Sequence, residues 1–200
     1  MKKTVISKFM SDHSEGDPGR ETLLDYELSW VLRMASDTDC PPRLKHQCRY
    51  ILFKLLGIED YQDIEIEKVH VWKQWNYIDV IADIHLTKNG NKTLHVLLIE
   101  DKAYSMMRVN QRDEYPKLAI EAYNTYDKYR DYRDYKLHQV LVTCFDSNEP
   151  GYDNLSKFIS VDKNWSIMSV SELPDNTVDE MTESDLFNEF WLTTWTHLLD

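Results

Sequence analysis

A chain of 200 residues fits one domain, and a 42% hydrophobic share with 12% aromatic is enough for a substantial core. A net charge of −12 argues against generic nucleic-acid binding, which favours basic surfaces. That charge is uneven: of 35 acids, eight lie in 171–200 with no Lys or Arg among them, leaving 27 against 23 bases elsewhere, so a local basic face remains open. No stretch reaches the roughly 20 apolar residues of a membrane helix. Lys8 interrupts the apolar run of Met1–Met10, so no signal core is read and a cytoplasmic protein is expected. Cys40, Cys48 and Cys144 form no CxxC pair, which excludes a disulfide framework or zinc knuckle; Cys48 and Cys144 read as buried thiols.

Residues 1–19, polar and holding Gly16, Pro18 and Gly19, read as a flexible N-terminal arm; 20–200 read as a single domain. The first helix is predicted over 20–36, with Leu24, Leu28, Val31 and Ala35 on its buried face. A second follows over about 43–56, between Pro42 and Gly57, burying Leu44, Cys48, Ile51 and Leu55. Its bases Arg43, Lys45, Arg49 and Lys54 form a solvated face or, alternatively, a phosphate-facing one.

Strand patterns then cover 63–73, with a slip near Lys68, then 77–87, and after an Asn89-Gly90-Asn91 hairpin turn, 92–102. They predict an antiparallel meander. Residues 107–133 read as a helix with Leu118, Ala122, Thr125/Tyr126 and Tyr129 on one face. A central strand over 136–145 follows, an order that permits a right-handed parallel crossover. A short helix is expected at 152–160, a short strand at 165–170, and an acidic amphipathic helix at 183–199 with Phe187, Trp191, Thr194/Trp195 and Leu198 along one side. That last helix packs on the sheet or serves a homodimer or protein partner.

The chemistry concentrates in Ile78-Asp79-Val80 and Ile99-Glu100-Asp101-Lys102. Glu100 and Lys102, two apart on a strand, share a face, and the hairpin brings Asp79 beside them. Carboxylates inside apolar strands are costly unless neutralised, and oxygen ligands select a hard cation such as Mg²⁺ or Mn²⁺. Such a cation acidifies its water and screens charge growing on a phosphate. Lys102 beside it would orient or help deprotonate that water, since burial near a cation lowers a lysine pKa.

Asp79, Leu98-Ile99-Glu100-Asp101-Lys102 and Gln111-Arg112-Asp113-Glu114-Tyr115 together resemble the PD-(D/E)XK nuclease superfamily, in its branch with a QxxxY motif on the helix after the catalytic hairpin. The resemblance spans about residues 20–145. It implies an α/β, restriction-endonuclease-like core: a mixed sheet whose antiparallel catalytic meander is flanked by helices. It further implies Asp79, Glu100 and the Asp101 backbone carbonyl as metal ligands, Lys102 at the water, and Gln111 and Tyr115 supporting the site and contacting the substrate backbone. Glu27 would hold a metal-bound water, with Asp25 and Glu21 as neighbouring acids. The implied function is Mg²⁺-dependent phosphodiester hydrolysis in DNA, with RNA left open. Ile78 replaces the motif's proline, and Pro116 after Tyr115 predicts a bend or a fresh helix start. Asp83, on the Asp79 face, reads as a second ligand or, by preference, a solvated acid.

The histidines His13, His46, His70, His85, His95, His138 and His197 have no metal-ligand spacing; His85 and His95 are expected to face each other across the hairpin. Absent Walker, GxGxxG and GxSxG motifs exclude nucleotide cofactors and α/β-hydrolase chemistry. Tyr123, Tyr126, Tyr129, Tyr132 and Tyr135 alternate with bases, but a three-residue step drifts around a helix, so a partly buried helix end is expected rather than a stacking platform. A rival reading is a catalytically idle member of the same fold serving as a binding or assembly subunit. Net charge favours the rival; the intact Asp79, Glu100, Lys102, Gln111 set favours the enzyme.

Overall fold

The computed structural model describes residues 19–125, 135–178 and 180–194. Outside them lie the N-terminal arm with His13, the tyrosines 126, 129 and 132 with their interleaved bases, and Trp195, His197 and Leu198. The elements are α1 (Gly19–Met34), α2 (Pro42–Leu55), β1 (Ile64–Trp75), β2 (Ile78–Lys88), β3 (Asn91–Lys102), α3 (Val109–Thr125), β4 (Tyr135–Thr143), α4 (Pro150–Ile159), β5 (Trp165–Ser169) and α5 (Asp185–Phe187), which runs on as a π-helical turn over Asn188–Thr194. Among the described residues no helix is long and apolar enough to cross a membrane.

The strands form one five-stranded mixed sheet in the order β1-β2-β3-β4-β5, flanked by helices. β1, β2 and β3 are antiparallel, whereas β3–β4 and β4–β5 are parallel. The slip in β1 is a register shift between Ile66 and Lys68. α1 and α2 cover one sheet face, burying Leu24, Leu28, Val31, Cys48 and Ile51 against Val80, Ala82, Leu97 and Ile99. α3 and α4 cover the other, burying Tyr115, Ala119, Tyr123 and Leu155 against Ile81, Val96 and Leu98. Side-chain alternation therefore sends Ile99 and Asp101 towards α1, and Glu100 and Lys102 towards α3. All three cysteines are buried and free.

α2 follows its punctuation. Pro42 occupies the first turn, where no N–H partner is needed, and Gly57 just past the end takes φ +64°. Its basic residues are not a free phosphate surface: Arg43 pairs with Glu183 at 3.1 Å, Arg49 donates to the Ile64 carbonyl at 3.0 Å, and Lys54 donates to the Glu172 carbonyl. The acidic C-terminal segment thus neutralises part of α2.

Several expectations change. α3 runs through Pro116 without a break, and its buried face is Tyr115, Pro116, Ala119 and Tyr123, one position off the predicted face; Leu118 is exposed. Proline leaves the carbonyl four residues earlier, that of Arg112, without its helical donor. The Trp165 indole fills the gap, donating from Nε1 to Arg112 O at 3.1 Å. Asp83 is not solvated: it is buried under α3 and accepts a hydrogen bond from the Tyr123 hydroxyl. His85 and His95 do not pair, because the register sets His85 opposite Leu94. His95 instead stacks on His138 of β4, Nδ1 to Nε2 2.9 Å, and burial holds His95 neutral down to about 4. Phe187, Phe190 and Trp191 are fully buried in this chain's own core, so they offer nothing to a partner.

Candidate active site

A tight turn sets the geometry. Lys88 and Asn91 pair around Asn89 and Gly90, both at positive φ, as a type I′ hairpin requires. The resulting β2–β3 register pairs Val80 with Ile99, so one step on Asp79 comes level with Glu100. Three oxygens then converge on the Lys102 ammonium: Nζ lies 2.6 Å from Glu100 Oε1, 2.6 Å from the Asp101 carbonyl and 3.5 Å from Asp79 Oδ2. Glu100 and Lys102 are buried, and Glu100 Oε2 has no hydrogen-bond partner.

α3 contributes Gln111 through its own start. Arg112 N donates to Arg108 O, making Arg108 the capping residue, and Gln111 three positions on accepts from Arg108 N at 2.8 Å. That is the returning half of a capping box. With its oxygen so engaged, the Gln111 amide N–H is directed at Glu100 Oε1, to which it donates. Tyr115, one turn later, is buried beside the carboxylates rather than offered to solvent. Burial first, then the charges of Glu100 and Asp79, raise its phenol above the ordinary value.

The remaining ties come from residues with no motif. Gln74, at φ +52°, donates from one amide nitrogen to Asp79 Oδ1 and to Asp25 Oδ2, each at 3.0 Å. Asp79 Oδ2 also accepts from Asp101 N at 3.1 Å. Asp25 and Asp101 form a buried carboxyl pair, hydrogen-bonded to each other, whose pKa values are both raised, by desolvation before all else. Glu21, one turn before Asp25, accepts from Ala103 N at 3.2 Å and from Ser105 Oγ at 2.6 Å, fixing the segment after Lys102. Glu27 is not at the site. It leaves α1 on the side of α2 and Trp191, and burial lifts its carboxyl to about 7. The acids α1 does supply, Glu21 and Asp25, have the i, i+4 spacing of one helix face.

Desolvation, then the Asp79 charge, pushes the Glu100 carboxyl up to about 8, against the pull of Lys102. Desolvation favours a neutral Lys102, but Glu100 and Asp79 outweigh it, so the ammonium is held above its ordinary range. The lowering expected for Lys102 is therefore reversed in this arrangement. Among the described residues no three His, Cys, Asp or Glu side chains form a ready metal cage. The convergent donors are two carboxylates and one main-chain carbonyl, all oxygen, already surrounding one cationic centre. That set suits a hard divalent ion in the place of the ammonium. A separate cavity of about 440 Å³ lies between Tyr50, Lys54, Tyr61 and Met168. Its one lysine is already bound to the Glu172 carbonyl, and it holds no comparable convergence of charge.

Compared with known protein families, curated proteins and solved structures, the chain matches none.

Proposed function

We propose that this chain is a metal-dependent nuclease of the PD-(D/E)XK type with a restriction-endonuclease-like fold, hydrolysing phosphodiester bonds, in DNA by preference. One observation carries the reading: Asp79, Glu100 and the Asp101 carbonyl, brought from neighbouring strands, point at a single cation. The sheet order supports it, since an antiparallel meander leads through a helix into a parallel strand. Asp79, Glu100 and the Asp101 carbonyl would hold Mg²⁺ or Mn²⁺. When bound, the ion supplies an acidified water and neutralises charge on the phosphate. Gln111 and Gln74 fix the two carboxylates from either side, so the ligand oxygens are preorganised. Lys102, displaced from the oxygens by such an ion, remains within a side chain's reach to donate to a phosphate oxygen or to the attacking water.

The second reading, an idle assembly subunit of the same fold, is favoured by the −12 charge and by the ammonium already seated on the three oxygens. Incubation with linear, circular and single-stranded DNA separates the two. The nuclease reading predicts cleavage with Mg²⁺ or Mn²⁺, removed by EDTA. Intact substrates under every metal condition would overturn cleavage of DNA and favour the idle subunit.

A further inference from the structure

The β1–β2 turn is built like the β2–β3 turn, but with one discordant residue. Trp75 pairs with Ile78 around Asn76 and Tyr77, at φ +50° and +70°. A turn of this type calls for Asn-Gly, as Asn89-Gly90 provides in the next hairpin. Here a tyrosine stands where glycine fits. A bulky residue in the left-handed region is strained, and burial does not repay the strain, because Tyr77 is 80% exposed. Folding gives no reason for the ring, and it lies two residues from Asp79. Two further exposed tyrosines adjoin residues of the site along the chain: Tyr104, 50% exposed and two residues beyond Lys102, and Tyr26, 57% exposed and next to Asp25, whose carboxylate shares Gln74 with Asp79. The Lys73 ammonium lies over the Tyr26 ring, and the Phe145 ring meets Tyr104 edge-on at 5.3 Å.

We infer that this rim grips single-stranded nucleic acid, with Tyr77 stacking on an unpaired base next to the scissile phosphate. The inference rests on the nuclease reading and names its substrate class. Charge points the same way. Duplex affinity comes largely from neutralising phosphates, and the chain as a whole carries −12, with Arg43, Arg49 and Lys54 of α2 already engaged within it. Stacking needs no phosphate contact, tolerates any sequence, and needs a base free of the duplex.

The test measures binding of a short labelled single strand, as DNA and as RNA, and of a blunt duplex. It is done in Mg²⁺ in a Lys102→Ala background, so that strands remain uncut. The single strand should bind more tightly than the duplex, with a shallow salt dependence. Tyr77→Ala should weaken single-strand binding about tenfold, while Tyr77→Phe retains it. Tyr77→Gly should bind as weakly as Tyr77→Ala while melting no lower than the parent, which separates lost stacking from lost folding. Equal single-strand binding by parent and Tyr77→Ala, or a preference for duplex, overturns the inference while leaving the nuclease reading intact. Failure of the parent to bind any nucleic acid overturns both.

Discussion

Glu100→Gln is expected to abolish cleavage, by at least about a thousandfold, while making the metal-free protein more stable at alkaline pH. The two effects share one cause. The Glu100 carboxyl titrates at about 8, raised from 4.5 chiefly because it is buried. Folding therefore favours its protonated form. The stability this contributes is whole below about 4.5 and is lost as pH rises through about 8. Glutamine keeps the protonated shape at every pH. Melting curves of wild type and variant without metal should lie closest near pH 4.5, diverge steadily up to about pH 8 and stay apart above it, the variant melting higher. Asp25 and Asp101, also raised, are common to both proteins and cancel in the difference. A variant that melts lower than wild type at high pH would show that Glu100 serves mainly as the partner of Lys102.

Trp165→Phe is expected to cost about 1 kcal/mol, the lower end of the penalty for leaving a carbonyl without a donor, because this one is half-buried. The carbonyl is that of Arg112, which Pro116 cannot serve. In a Pro116→Ala background the new N–H can take that carbonyl, so the cost of Trp165→Phe should shrink towards the loss of packing alone. Chemical denaturation of the four proteins of this cycle measures the coupling. Additive effects would mean that the indole contact is incidental and that the helix tolerates Pro116 for another reason.

This pair also shows where sequence reading stops. Pro116 predicts a bend or a fresh helix start from local rules; α3 is continuous through it, and the donor its Arg112 carbonyl lacks comes from Trp165, 49 residues away, which no local rule foresees. The meander was legible because Asn89-Gly90 marks its turn and strand alternation fixes the register on either side. Register alone then placed Asp79, Glu100 and Lys102 together, whereas Gln111 joined them only through the resemblance to the QxxxY motif. Asp83 misled because an acid in an alternating strand reads as solvent-facing, whereas α3 covers that face and Tyr123 satisfies the carboxylate. The first turn escaped notice because Asn76-Tyr77 carries no glycine. Gln74 escaped with it, since a glutamine ahead of a turn bears no motif. Choosing among the acids of α1 required its rotation about its axis: Glu21 and Asp25 share a face, and Glu27, two positions on from Asp25, faces α2 and Trp191 instead.

Mn²⁺ titration, followed by calorimetry, tests the central claim most directly, because it asks whether the three oxygens around Lys102 Nζ form a cation site. Wild type should bind the ion, more tightly as pH rises towards 8 because binding displaces the proton of Glu100. Glu100→Gln should bind at least about tenfold more weakly. Lys102→Ala, which vacates the three oxygens, should bind as tightly as wild type or more so. Equal Mn²⁺ affinity in wild type and Glu100→Gln, or no binding by any of the three proteins, would contradict the account.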